Sequence, residues 1–341
     1  MRAISAVDAV SPAVQRTRDF LFRPFTWGSY LKLGLVAIIT ESLGGNLRGS
    51  SSNSQSSGHT ATNLAPLNIQ PIQIAATVAI VLLVMVISIW LFYLVTRLRF
   101  AFFHCLIHNT KEIRPGWRLY REQATRFFWM NLGIAFCFVL LAGLIAIPFI
   151  SGFVRLFHQI SQGGQPDWGL VLSLVLPLLP IIFILALAGI ALDVILRDWM
   201  LPHYALENAT AGQAWSRVWA RITAEKRQFI AYTLLRLILP TLALIGVFMV
   251  LLIPGLILAG SLAAVEWGIH SAFEDASGGS AVTGYLLQAF FGVLAFGFML
   301  LASICLGGPV STGTREYALL FYGGRYQALG DILYPPVPRS A

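Results

Sequence analysis

The chain has 341 residues, 57% of them hydrophobic and 11% charged, with a mean hydropathy of +0.74. Soluble domains carry about a quarter charged residues, so lipid is the solvent for most of this chain. The net charge of +8 would suit nucleic acid in a soluble protein, but in a membrane chain surplus Lys and Arg mark cytoplasmic loops and anionic lipid, and a nucleic-acid partner is set aside.

At about 20 apolar residues per crossing plus connections, the length holds about six spans. Residues 1–26 form a cytoplasmic interfacial segment, because Phe20, Leu21, Phe22 and Phe25 stand among Arg16, Arg18 and Arg23 and Pro24 ends or kinks any helix there. No small-residue cleavage site follows, so no cleaved signal peptide is expected. Residues 27–335 form the membrane domain and 336–341 a C-terminal tail. The spans fall at about 27–43, 72–96, 128–150, 168–194, 229–265 and 284–307. The first ends near Glu41, read as a carboxylate at the outer interface. Residues 44–70, rich in Ser, Asn and Gly, have the composition of a disordered outer loop. Pro177 and Pro180 should kink span four. Span five, interrupted by Pro240 and Pro254, is too long for one crossing, and is either one long broken helix or a span followed by an interfacial helix.

Two polar stretches repeat one design. In residues 114–128, Trp117, Tyr120, Ala124 and Phe127 share a helical face bordered by Arg114, Arg118 and Arg121. In the central stretch, residues 197–229, Trp215, Val218 or Trp219, and Ile222 do so beside Arg217 and Arg221. Aromatic faces edged with arginine describe cytoplasmic amphipathic helices against anionic headgroups. Each such lead-in precedes two spans and a polar exit. Asn109 and Asn208, at the ends of two exits, are 99 residues apart, as are Leu33 and Leu132 within the first two lead-ins. The organisation is therefore an all-α polytopic helical bundle of three tandem hairpins. Twenty-one of the 23 Lys and Arg residues fall on the side of the N-terminus in this threading, which places both termini in the cytoplasm of a bacterial inner-membrane protein.

The stretch from Asp198 to Trp219 contains Pro202, Leu206, Glu207, Ala214 and Trp215. It resembles a recurrent cytoplasmic motif in the membrane domain of glycerophosphoryl diester phosphodiesterases and in a related group of uncharacterised bacterial membrane proteins. The opening TRDFLFRPFTWGSYLKLGLVAI and closing REYALLFYGGRYQALGDILYP are similar to the ends of that group. The resemblance implies a multi-pass membrane protein. It does not carry over phosphodiesterase activity, since the soluble domain with its metal-binding acids has no counterpart here.

No catalytic motif is present. Cys105, Cys137 and Cys305 are unpaired in spacing and read as small core hydrophobes, and His104 and His108 as an interfacial pair. Glu266, His270 and Glu274 recur every four residues and are the metal candidates, although consecutive groups stand about 6 Å apart along a helix. Glu207 either caps or pairs with an arginine such as Arg217, or helps bind a headgroup or partner. No cofactor is expected. The functional expectation is a non-catalytic module that binds or organises lipid, partner proteins or further copies of itself in a homo-oligomer; the alternative is a transporter of a lipid or small molecule.

Overall fold

A computed structural model describes residues 4–42, 71–162, 167–273 and 279–334. All regular structure among them is helical: α1 (Val10–Phe22), α2 (Trp27–Ser42), α3 (Pro71–His108), α4 (Ile113–Leu119), α5 (Arg121–Ser161), α6 (Trp168–Val194), a π-helical turn (Ile195–Met200), α7 (Leu201–Glu207), α8 (Ala211–Ala224), α9 (Lys226–Phe273), α10 (Gly279–Gly323) and α11 (Gln327–Leu333). The expected loop 44–70 and tail 336–341 lie outside the described residues.

Helix ends follow local chemistry. Before Pro24 the chain leaves helical geometry at Arg23, which is extended, as the proline ring requires of its predecessor. Asp167 caps α6 by accepting from the Gly169 amide at 2.9 Å. Among the described non-glycine residues, only Asn109 and Asn208 have positive φ, 52° and 51°. Each follows a helix and takes the left-handed conformation that Asn tolerates there. The prolines inside α5, α6, α9 and α10 do not interrupt them. The long fifth segment is thus one continuous helix of 48 residues, about 72 Å long.

The chain divides into two compact units. In the first, α9 and α10 form an antiparallel hairpin. Tyr232 stacks on Tyr317 and Phe321, with ring centroids 5.0 and 4.4 Å apart, and Phe229 meets Phe321 edge-on. α1 runs along α10: Tyr317 donates its hydroxyl to the Ala6 carbonyl at 2.9 Å, and Thr17 faces Gly313. α11 packs Leu329 and Leu333 near Gly323. Phe20 and Leu21, read from sequence as membrane-facing, are buried within the protein; Phe22, Phe25 and Trp27 remain exposed.

α2 departs furthest from expectation. Its 16 residues give about 24 Å, short of the roughly 30 Å hydrocarbon core. Gly34 faces Gly308, the Tyr30 hydroxyl donates to the Cys305 carbonyl at 2.6 Å, and Glu41 reaches Arg315 at 3.9 Å. Numbering rises together on both helices, so α2 runs parallel to this part of α10. Glu41 therefore does not sit at a far interface; it lies among the basic residues at the helix ends.

In the second unit, α5 and α6 are antiparallel, with Gly152 against Leu174 and Gly189 against Phe138. The last turns of α3 within this unit pack on the start of α5: Phe100 meets Tyr120 and Phe127, and Tyr204 of α7 meets Phe127 at 5.2 Å.

Within each unit, burial is concentrated near the helix ends. The apolar stretches are bare: in five helices long and apolar enough to cross a membrane, no more than 6% of the core apolar window is buried. Those five are α3, α5, α6 with its continuation through α7, α9 and α10. Bare apolar surface on this scale requires a lipid solvent.

Candidate functional site

The chemistry-bearing side chains stand beyond the apolar stretches. In the second unit, the Arg97 guanidinium lies 4.3 Å from the Trp117 ring centroid and donates to the Trp117 carbonyl at 3.0 Å. This cation–π contact fixes α4 against α3. Tyr120, Ala124 and Phe127 are buried, so most of the aromatic face expected to meet lipid packs inside the protein. Burial also pushes the Tyr120 hydroxyl pKa above its ordinary value. Arg114, Arg118 and Arg121 remain exposed, with no acidic partner among the described residues.

Around α7 the arrangement differs. Glu207 pairs with Arg217 and lies 3.2 Å from Nδ1 of fully buried His203. Asn208 accepts from Arg126 through Oδ1 at 3.4 Å. Arg197 pairs with Asp193 one turn earlier at 3.3 Å. On α8 the buried stripe is Ala214 and Val218, whereas Trp215 and Trp219 are exposed.

In the first unit, Arg221 stacks over Tyr322 and Tyr326 and donates to the Tyr322 hydroxyl at 3.1 Å. Arg325 forms a two-pronged pair with Glu225, both contacts 2.9 Å, and donates to the Ile4 carbonyl. Glu41 lies 3.3 Å from Arg236, which also donates to the Thr314 carbonyl. Fully buried Glu316 meets Arg16 at 3.0 Å, and Arg16 donates to the Leu106 carbonyl at 2.8 Å.

Of the sequence-derived candidates, then, Arg217 and Arg221 are engaged within the protein, and Glu207 is held by two side chains. The three arginines on and just after α4 are the exposed group, with Trp117 half-buried beside them. Sequence reading missed the Glu41–Arg236–Arg315 and Arg16–Glu316 clusters. Arg236, two turns inside an otherwise apolar segment, was the available signal, since a charge so placed needs a partner.

Glu266 and His270 are exposed on α9, and Glu274 lies outside the described residues. No group of three His, Cys, Asp or Glu side chains placed to hold a metal occurs among the described residues. The His104 and His108 rings touch, with centroids 4.5 Å apart, and the Cys105 thiol donates to the Glu112 carbonyl. A cavity of about 470 Å³ lies in the first unit, against α1, between Arg16, Asp19, Phe20, Asn109, Leu320 and Tyr334.

Five apolar helices of spanning length, no strand among the described residues and charge gathered at helix ends define an all-α multi-pass membrane protein. The chain belongs to a family of unknown function (DUF7544), whose model matches residues 4–332. No curated protein and no solved structure matches it.

Proposed function

We propose that this is a non-catalytic module of a bacterial inner membrane, with both termini in the cytoplasm, that binds or organises anionic lipid. The observation carrying this reading is the separation of surfaces. Apolar stretches are bare, and the charged groups beyond them are largely spent holding the helix ends together, leaving an exposed basic surface rather than a catalytic constellation.

The topology has independent support. α1 and α11 both pack on the C-terminal part of α10, which favours placing the two termini on one side, and the distribution of Lys and Arg makes that side cytoplasmic. Termini on one side require an even number of crossings. The six-crossing arrangement therefore stays part of the proposal, beside the five long helices described above. Three tandem hairpins are supported by the left-handed Asn109 and Asn208 and by the recurrence of a short helix before a longer one at α1–α2, α4–α5 and α8–α9. The likeness to the phosphodiesterase membrane domain belongs to this proposal for its membrane portion alone.

Transport of a lipid or small molecule is the second reading. Pro177, Pro180, Pro240 and Pro254 favour it, because each removes a backbone donor within an apolar stretch.

Native mass spectrometry of the full chain released from mild detergent separates the two. The module reading expects retained anionic phospholipid and no stoichiometric solute. A tightly held solute present at one copy per chain, without selective lipid, would overturn it.

A further inference from the structure

We infer that the exposed arginine strip running from α4 into α5 is the docking surface for anionic phospholipid headgroups, and that α8, its sequence counterpart, is not. This rests on the membrane-module reading above.

Three observations carry the inference. First, α4 and α5 follow one another with Tyr120 alone between them. The Tyr120 amide closes α4 on the Gly116 carbonyl at 3.2 Å, and the Tyr120 carbonyl accepts the first bond of α5 from the Ala124 amide at 2.9 Å, while Tyr120 itself, at φ −97° and ψ 24°, leaves helical geometry. Arg114 and Arg118 stand i, i+4 on one side of α4 and Arg121 opens α5; all three are exposed, whereas Gly116, Tyr120, Ala124 and Phe127 are buried.

Second, the strip runs directly into lipid. Trp129, just over two turns beyond Arg121 and 65% exposed, lies about 12 Å further along and roughly 80° around α5 from it, at the start of the apolar stretch. Guanidinium groups followed by an exposed tryptophan and then bare apolar surface match the order phosphate, interface, acyl chain in a bilayer leaflet. Arg97, stacked on Trp117, holds α4 in place, so the strip is fixed before lipid arrives.

Third, the strip retains its charge for a ligand. Glu122 is the carboxylate within it and Glu112 precedes it. Both are exposed, and no ion pair joins either to the three arginines among the described residues. On α8, by contrast, Arg217 is bound by Glu207, and Arg221 lies over Tyr322 and Tyr326. Two segments that look alike in sequence thus divide the work: α8 braces the fold and α4 meets the leaflet. A phosphodiester lipid supplies what the strip lacks, an anion recognised by arginine together with acyl chains for Trp129.

The test uses full-length protein in mixed micelles of phosphatidylcholine and phosphatidylglycerol, with retained lipids counted by native mass spectrometry. The triple variant Arg114→Gln/Arg118→Gln/Arg121→Gln should lose preference for phosphatidylglycerol by roughly fivefold for each arginine removed, with its melting temperature unchanged. The matched variant Arg18→Gln/Arg23→Gln/Arg227→Gln, altering exposed arginines elsewhere, should keep the preference. Equal loss in both variants would reduce the effect to overall charge and overturn the assignment. So would an unchanged preference in the α4 variant, or loss of a co-purifying protein while phosphatidylglycerol stays bound. Sided cysteine labelling in intact cells and in inverted vesicles separates the two levels. If Gln123→Cys labels only from outside the cell, the orientation beneath the inference fails; if it labels from inside and the preference is unmoved, the strip alone fails.

Discussion

Glu41 balances two guanidinium groups in a place where water is scarce: its side chain is 13% exposed, that of Arg236 7% and that of Arg315 3%. Glu41→Gln removes the negative charge and leaves two positive ones facing each other. The expected cost is about 3 kcal/mol, as for other buried pairs that lose one partner, read as a lower melting temperature of the detergent-solubilised chain. Adding Arg236→Gln should recover part of the loss, because the second substitution removes the stranded charge. An unchanged melting temperature for the single variant would mean that water or lipid phosphate already screens the site. Glu41 and Arg236 stand 195 positions apart in the sequence. Arg236 could be read as a charge in need of compensation, whereas nothing local to Glu41 named its partner.

Among the elements, glycine contacts separate close packing from idle flexibility. A Cβ on Gly308 would come within 2.8 Å of the Gly34 Cα, so Gly308→Ala must push α2 from α10 and should cost about 1–3 kcal/mol. A Cβ on Gly212, in α8, would meet nothing within 4 Å, and Gly212→Ala should leave stability unchanged or raise it by about 0.5 kcal/mol. Thermal unfolding of the two variants side by side tests whether the α2–α10 contact is close-packed. The helix caps make a third case: Asn208→Ala should cost about 1 kcal/mol because alanine resists the left-handed conformation, while Asn208→Gly should be nearly neutral. The 99-residue spacing of Asn109 and Asn208 was legible in the sequence, and both prove to hold the same backbone conformation. The direction of the aromatic faces was not legible. Periodicity shows that one side of residues 114–128 is apolar, but the same stripe suits lipid and protein equally. Phe100 and Tyr204, which cover Phe127 here, come from distant parts of the chain.

For the whole molecule, the long apolar segments were the most readable feature, because a bilayer sets their length and excludes charge from them. α2 was the exception. Its composition resembles a span, yet it is too short for an untilted crossing and packs parallel to α10 through Gly34, a contact visible only once both helices are placed. In the proposed membrane module, charge-stitched helix ends lie on the cytoplasmic side, where they anchor bare spans and offer basic surface to the inner leaflet. Everything in that proposal depends first on which side of the membrane those ends occupy. The direct measurement is labelling by a membrane-impermeant maleimide in intact cells and in inverted vesicles, using a chain whose three native cysteines are replaced and which carries one new cysteine at a time. Gln15→Cys and Lys226→Cys should react only in inverted vesicles, and His158→Cys, near the opposite end of α5, only in intact cells. Reaction of Gln15→Cys or Lys226→Cys in intact cells would place the basic helix ends outside and contradict the proposal.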